Sequence, residues 1–420
     1  MKRSGRPAAN HEPCRRAGVR LRRVASVVAT AFATGLLTSP AAAHLTDLFN
    51  DPALGDLRPS LAPIGPVLAR TVASTYPIPS ASSNTVFAYD PVTGSYVREA
   101  GVPGPLFGER AETLGRREFD VSLAYSHVDL TTINGDPLDH LVSQTMVDGN
   151  LITKHFDQPV PLADGRKTSF LPRRVTEDIG VTADIVTPAV TYGITPYLDV
   201  NVSLPLVRTS LGLTTESLTP DPRLPQFAVA SGQPFPQTYV TTASDAAFGI
   251  GDILLRAKYT LHAGEPADVA ASLGLSLPTG SSKNLQGTGV TQVEPLLIVS
   301  RVIAGRFEPF LNAGIDLDAT DVGRSVVVWA VGATAQLWKQ LGASLVFLGR
   351  NELSRQTDPI ALPFFFQINR NDYYDVSIGL RYGFWGNGFL AAGALVPLNR
   401  DGLRPDAIPT VQLEYAFGPH

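Results

Sequence analysis

The histidines beyond residue 43 are His44, His127, His140, His155, His262 and His420, and none stands at metal-ligand spacing from another His or from a Cys. Metal chemistry is therefore not expected. Ser126-His127 joins a nucleophile type to a base type, the pairing that a lipid-hydrolysing site would use. Neighbouring residues of a strand project to opposite faces, however, so these two cannot act on one bond. The glycines of LSLPTGSSKNLQGTG (275–289) lack the spacing of a phosphate loop, and GIGD (249–252) opens no helix of the kind a dinucleotide requires. The first reads as a flexible external hairpin. No cofactor is implied, and no catalytic residue emerges. The loop acids Asp136, Asp139 and Asp148 could hold calcium or a cation bridging lipopolysaccharide, but ordinary solvated charge is the favoured account of them.

A more informative set of charges is Asp120, Asp199, Asp252, Arg256, Lys258, Glu308, Asp316, Asp375, Arg381 and Glu414. Each falls on the polar phase of a segment that alternates in period two. In DYYDVSIGLRYGFW (372–385) one phase reads Tyr374, Val376, Ile378, Leu380, Tyr382 and Phe384, and the other contains Asp375, Ser377, Gly379 and Arg381. Residues 197–206 oppose Leu198, Val200, Val202, Leu204 and Leu206 to Asp199, Asn201 and Ser203. The final segment opposes Val411, Leu413, Tyr415 and Phe417 to Thr410, Gln412, Glu414 and Ala416. Strands with one apolar and one polar face explain this pattern.

About twelve such strands are expected, near residues 117–130, 177–192, 197–209, 247–261, 267–279, 291–304, 307–318, 323–338, 341–353, 372–385, 387–398 and 408–417. In 247–261 the phase changes near Gly251, as a bulge would produce. Short turns such as Thr195-Pro196 and Lys339-Gln340 alternate with mostly longer polar loops, the longest near 131–176 and 210–246. An up-and-down meander of this kind carries its short turns at one end and its loops at the other, the asymmetry of a membrane barrel.

Alternation also suits a soluble sandwich. The polar phase here is rich in Gly, Ser, Ala and Asn rather than dense in Lys and Glu, and aromatics sit at strand ends in the apolar phase, as Tyr374 with Phe384 and Tyr415 with Phe417. Both features favour an apolar exterior in lipid and a polar interior. The fold expected is all-β, a transmembrane antiparallel up-and-down β-barrel.

Residues 15–23 (RRAGVRLRR) are basic, Val24 to Leu37 is an apolar run, and Ala41-Ala42-Ala43 offers a small-residue cleavage site, so residues 1–43 read as an export signal peptide. The only cysteine, Cys14, falls within it, which leaves no disulfide framework. Without residues 1–43 there remain 26 basic and 37 acidic residues, about −11 in net charge, and no nucleic-acid partner is expected. Residues 44–116, rich in Pro, Ser and Ala, match no strand pattern and read as a periplasmic or lumen-entering segment, with disorder the alternative. The barrel is assigned to 117–420.

GERAETLGRREF (108–119), TYGITPYLDVNVSLPLV (191–207), FGIGDILLRAKY (248–259), LSLPTGSS (275–282) and EPFLNAGIDL (308–317) together make the chain resemble the outer-membrane family named for the MetA pathway of phenol degradation. The resemblance covers roughly residues 105 to 417. It implies a Gram-negative outer-membrane barrel that passively passes a small, aromatic or hydrophobic solute, and it supplies no catalytic residues. The partners expected are outer-membrane lipid and lipopolysaccharide, the outer-membrane assembly machinery and a small-molecule solute. The ten interior charges are then lumen-lining candidates that either brace a closed lumen or line a narrow path. The alternative function is a structural or adhesive envelope barrel that acts through its external loops, its lumen closed.

Overall fold

A computed structural model describes residues 44–52, 54, 61–81, 86–90, 95–99, 102–143, 153–161, 167–172, 174–219, 237–354, 372–384 and 387–417. The expected signal peptide and Asp148 lie outside them. Contacts divide the chain at Ala43/His44, and the described residues all belong to the unit from His44 onward.

Twelve strands form one antiparallel sheet among the described residues: β1 (Phe119–Ile133), β2 (Arg174–Thr195), β3 (Leu198–Ser203 and Leu206–Thr219) and β4 (Gln237–Ile250 and Ile253–His262). They continue through β5 (Asp268–Leu277), β6 (Gln292–Ser300), β7 (Phe307–Asp318) and β8 (Val326–Trp338) to β9 (Leu341–Glu352), β10 (Tyr373–Phe384), β11 (Gly388–Pro397) and β12 (Ile408–Phe417). Each pairs with the next, and β12 returns to β1, with Phe417 opposite Phe119 and Thr410 opposite Ser126. Closure leaves no sheet edge, which is what allows strands to stand in lipid. No described helix is long and apolar enough to cross a membrane.

The alternation resolves as the pleat demands. In β12 Val411, Leu413, Tyr415 and Phe417 are exposed outward while Thr410, Gln412, Glu414 and Ala416 are buried inside. In β10 Ile378, Leu380 and Tyr382 point out, opposite the buried Ser377 and Arg381. Phe119, Tyr192, Tyr415 and Phe417 gather at the short-turn end, with ring centroids 6.4 Å apart for Phe119 and Tyr192 and 4.7 Å for Tyr415 and Phe417. They form part of an aromatic girdle at the end of the short turns, which in outer-membrane barrels is the periplasmic end.

Val86–Asp90 pairs with Ser95–Glu99 and Thr153–Pro161 with Lys167–Pro172, two hairpins in stretches where no strand is expected, and four further features differ from the sequence expectations. Strands β3 and β4 run well into the stretch expected as the long 210–246 loop, to Thr219 and from Gln237. The expected bulge near Gly251 is a break in both strands at one level, where Gly251 N–H donates to the Pro205 carbonyl; Pro205 has no N–H with which to continue the ladder. The 279–291 loop is no loose external hairpin, because it folds into the barrel mouth: Leu285 is fully buried, and Thr209 donates to the Asn284 carbonyl at 2.6 Å.

The fourth difference is an inversion of sidedness in the outer halves of β1 to β3. Here the outward positions are polar, among them Asp129, Asp178, Asp184, Arg208 and Glu216, while Val128, Leu130, Val175, Ile179, Val181, Leu211 and Leu213 are buried inside. This inner wall packs on Leu45, Phe49 and the helix α1 (Ile64–Thr71), which presents Ile64, Val67 and Leu68 to it. Spacings of three and four put those residues on one helical face. Lipid therefore covers only the lower parts of these strands, and the outer parts enclose a core as a soluble domain does.

That boundary can be tested. Leu413→Arg, on the lipid face of β12, should destabilise refolding into vesicles by about 2–4 kcal/mol, whereas Ser210→Arg, outward on β3 above the lipid, should stay within about 0.5 kcal/mol. Equal penalties in urea titrations would place both residues in the same solvent.

Candidate functional site

The interior polar face binds the chain's own N-terminal segment. After α1, residues 73–81 run down the lumen. Residues 102–116 then cross its lower part and reach β1 through a close approach at Gly193, where a Cβ would stand 1.6 Å from the Gly115 carbonyl oxygen. Only glycine fits there, and Gly193 exchanges backbone hydrogen bonds with Arg117 and Glu118.

Residues 73–81 and 102–116 form no strand, and inside a barrel their backbone polar groups still need partners. Wall side chains supply them. Arg350 Nη1 donates to the Ser74 carbonyl at 2.8 Å, Arg256 to Pro79 at 3.3 Å, Lys258 Nζ to Arg110 at 3.3 Å and Arg381 Nη2 to Pro105 at 3.1 Å. Asp199 accepts from the Leu114 N–H at 2.6 Å. Asn312 and the backbone of Glu109 exchange two hydrogen bonds of 2.7 Å each. Tyr76 donates its hydroxyl to the Leu285 carbonyl, and burial pushes that hydroxyl far above its ordinary pKa, so it remains a donor.

All ten charged residues singled out from the sequence face this interior. Arg256, Lys258, Asp199 and Arg381 hold the segment's backbone directly. Glu308 meets the fully buried Arg110 at 3.5 Å, and Arg110 also pairs with Glu112. Glu414 meets Arg381 at 3.3 Å, and the buried Asp120 adds negative charge beside that arginine. Asp316 pairs with Arg350 at 3.3 Å, and Asp375 with Arg404. Asp252 serves the inturned loop, accepting from Gly280 N–H, Thr288 N–H and the Thr288 hydroxyl.

Sequence reading missed Arg110, Glu109, Glu294, Arg350 and Arg404. Arg110 and Glu109 precede the first strand, where no periodicity marks them, and the strand of Glu294 alternates weakly because Pro295 interrupts its pairing with β7. Ser126 and His127 do face opposite sides: Ser126 bonds to Thr410 inside, and His127 Nδ1 lies 2.9 Å from Asp184 outside. Asp136 and Asp139 are exposed beyond the end of β1.

Two cavities remain around residues 76–80. One of about 130 Å³ lies toward β1 to β6, and one of about 210 Å³ extends from β5 and β6 round to β11. Both are bounded by Ser74, Tyr76, Ile78, Arg256, Gly274, Glu294 and Arg350, and apolar surface predominates in each. A vestibule of about 780 Å³ opens above them, walled by α1, the 279–291 loop and the 319–325 turn, and reaches down to the same Ser74 and Arg350.

The family model described as the MetA-pathway of phenol degradation matches residues 174–396, more than half of the chain. The chain belongs to this family. The matched span runs from β2 to β11 and so contains most of the wall of both cavities. No curated protein sequence matches the chain. Among solved structures, an outer membrane channel from Pseudomonas putida F1 is similar with a TM-score of 0.45 at 11% identity, over 73% of this chain and 98% of that one. A FadL homologue from Pseudomonas aeruginosa has a TM-score of 0.33 at 10% identity, over 72% of this chain and 89% of that one. The toluene transporter TbuX from Ralstonia pickettii has a TM-score of 0.31 at 12% identity, over 72% and 88%.

Proposed function

We propose that this MetA-pathway family barrel sits in the Gram-negative outer membrane, exported by a signal peptide that is removed before His44, and lets a small aromatic or apolar solute pass down its gradient. The observation that carries the proposal is the pair of lumen cavities under an open vestibule. An apolar cavity on the order of 150 Å³ holds a benzene, and these two, at about 130 and 210 Å³, are each the size for one ring. Residues 73–81 and 102–116 act as a plug, and Asp199, Arg256, Lys258, Arg350 and Arg381 hold its backbone in register, with Glu308 on its Arg110. The reading involves no bond chemistry, in keeping with Ser126 and His127 on opposite faces.

Gly274 supplies the test. It borders both cavities, and a Cβ there meets only ordinary contacts at 3.4 Å or more, so a side chain can be added without moving the strand. In liposomes the protein should pass phenol or toluene, and Gly274→Leu, which fills both spaces, should cut the flux at least tenfold without changing heat-modifiable migration on gels. Wild-type liposomes no more permeable than empty ones would sink the channel reading.

The dense bonding of plug to wall favours a second reading, a closed envelope barrel that binds partners through its outer loops. It requires surface binding that survives Gly274→Leu, together with absent flux in the wild type.

A further inference from the structure

Glu294 is the one charged group bordering both cavities whose side chain accepts no hydrogen bond among the described residues. The two arginines that could bond to it are committed elsewhere: Arg256 to the Pro79 carbonyl and to Glu109, Arg350 to the Ser74 carbonyl and Asp316. Asp316 accepts in addition from Gln292 Nε2 at 3.0 Å. Opposite Glu294 on β5 stands Gly274, which has no side chain to cover it. Its carboxylate therefore borders mostly apolar space with free acceptor capacity.

A carboxylate held out of bulk water gains most from a donor that enters with the ligand, because a hydrogen bond to a charged group is among the strong ones. The surrounding charge settles which ligands can supply it. Around Glu294 the field comes from Arg256 and Arg350 on one side and Asp316 and Glu109 on the other, so with Glu294 itself the acids outnumber the bases by three to two. An anionic ring acid would bring a second carboxylate into this excess and offer no proton.

We infer that Glu294 is the specificity-determining residue of the twin cavity, which prefers neutral single-ring compounds bearing a hydroxyl donor over rings without a donor and over ring carboxylates. This rests on the channel reading for its location, but it concerns equilibrium binding and is tested apart from flux. The ring occupies the apolar part of either cavity, and its hydroxyl donates to a Glu294 carboxyl oxygen.

The experiment measures binding of phenol, toluene and benzoate to the detergent-purified full protein by equilibrium dialysis. Wild type should bind phenol about tenfold or more tightly than toluene, with benzoate weakest. Glu294→Gln, which keeps shape and one neutral acceptor, should lose most of that preference through weaker phenol binding alone. Glu294→Met should bind phenol and toluene alike. Benzoate binding as well as phenol, or a phenol preference unchanged in both variants, overturns the assignment, as does failure of every ring to bind. If the preference is found but liposomes show no flux, the site stands and the channel reading falls. Heat-modifiable migration checks that both variants are folded.

Discussion

Oxidising a Pro103→Cys, Gly342→Cys variant should abolish solute flux, and a reductant should restore it. Pro103 belongs to the plug and Gly342 to β9, and a Cβ built on Gly342 stands 3.2 Å from the Pro103 Cβ. That is near the 3.5–4.5 Å separation a disulfide needs, so a small shift admits the bond. The only native cysteine is Cys14, in the expected signal peptide, so the engineered pair has no competitor in the processed chain. The larger cavity is bordered by Phe107, Gly108 and Glu109 of the plug, so a solute that crosses it must displace this segment. A tether removes the displacement and leaves the cavities intact. Flux that ignores oxidation would mean the solute leaves by another route, and binding measured on the same oxidised sample should be unchanged.

The second large effect concerns Arg110. Its side chain is 1% exposed and satisfies two carboxylates, Glu308 on the wall and Glu112 beside it on the plug. Arg110→Met leaves Glu308, equally buried, without its cation. Breaking one side of a buried ion pair costs about 3–5 kcal/mol. Because the loss falls on the plug-to-wall contact, it should appear as release of the plug: protease cleavage within residues 44–116 and a steady leak current in planar bilayers. The double variant Arg110→Met, Glu308→Met replaces the pair by apolar groups of similar volume, a change that is often neutral or better. It should recover most of the loss. Equal leak in single and double variants would show that Arg110 acts through its shape rather than through its charge.

The barrel was legible in the sequence because lipid and lumen are uniform solvents, and each imposes its polarity on every second residue. Val411, Leu413 and Tyr415 against Gln412 and Glu414 need no tertiary knowledge to be assigned. The same rule places Asp199 and Arg381 inside from spacing alone. Their role was not legible, because a charge beside water and a charge bonded to a plug carbonyl alternate identically. Arg350 holding Ser74, or Asp199 holding Leu114, joins residues hundreds or scores of positions apart.

The sequence by itself therefore determined the strand number, the closed antiparallel order and the lipid-facing stripe outside the upper parts of β1 to β3. The tertiary structure alone decided where lipid stops on β1 to β3, because Val128, Ile179 and Leu211 become core residues only once α1 lies against them. It also decided that residues 73–81 and 102–116 divide the lumen. That segment has no period for a pattern to reveal: its backbone takes its partners from side chains on many different strands, and such partners exist only after the barrel has closed around it.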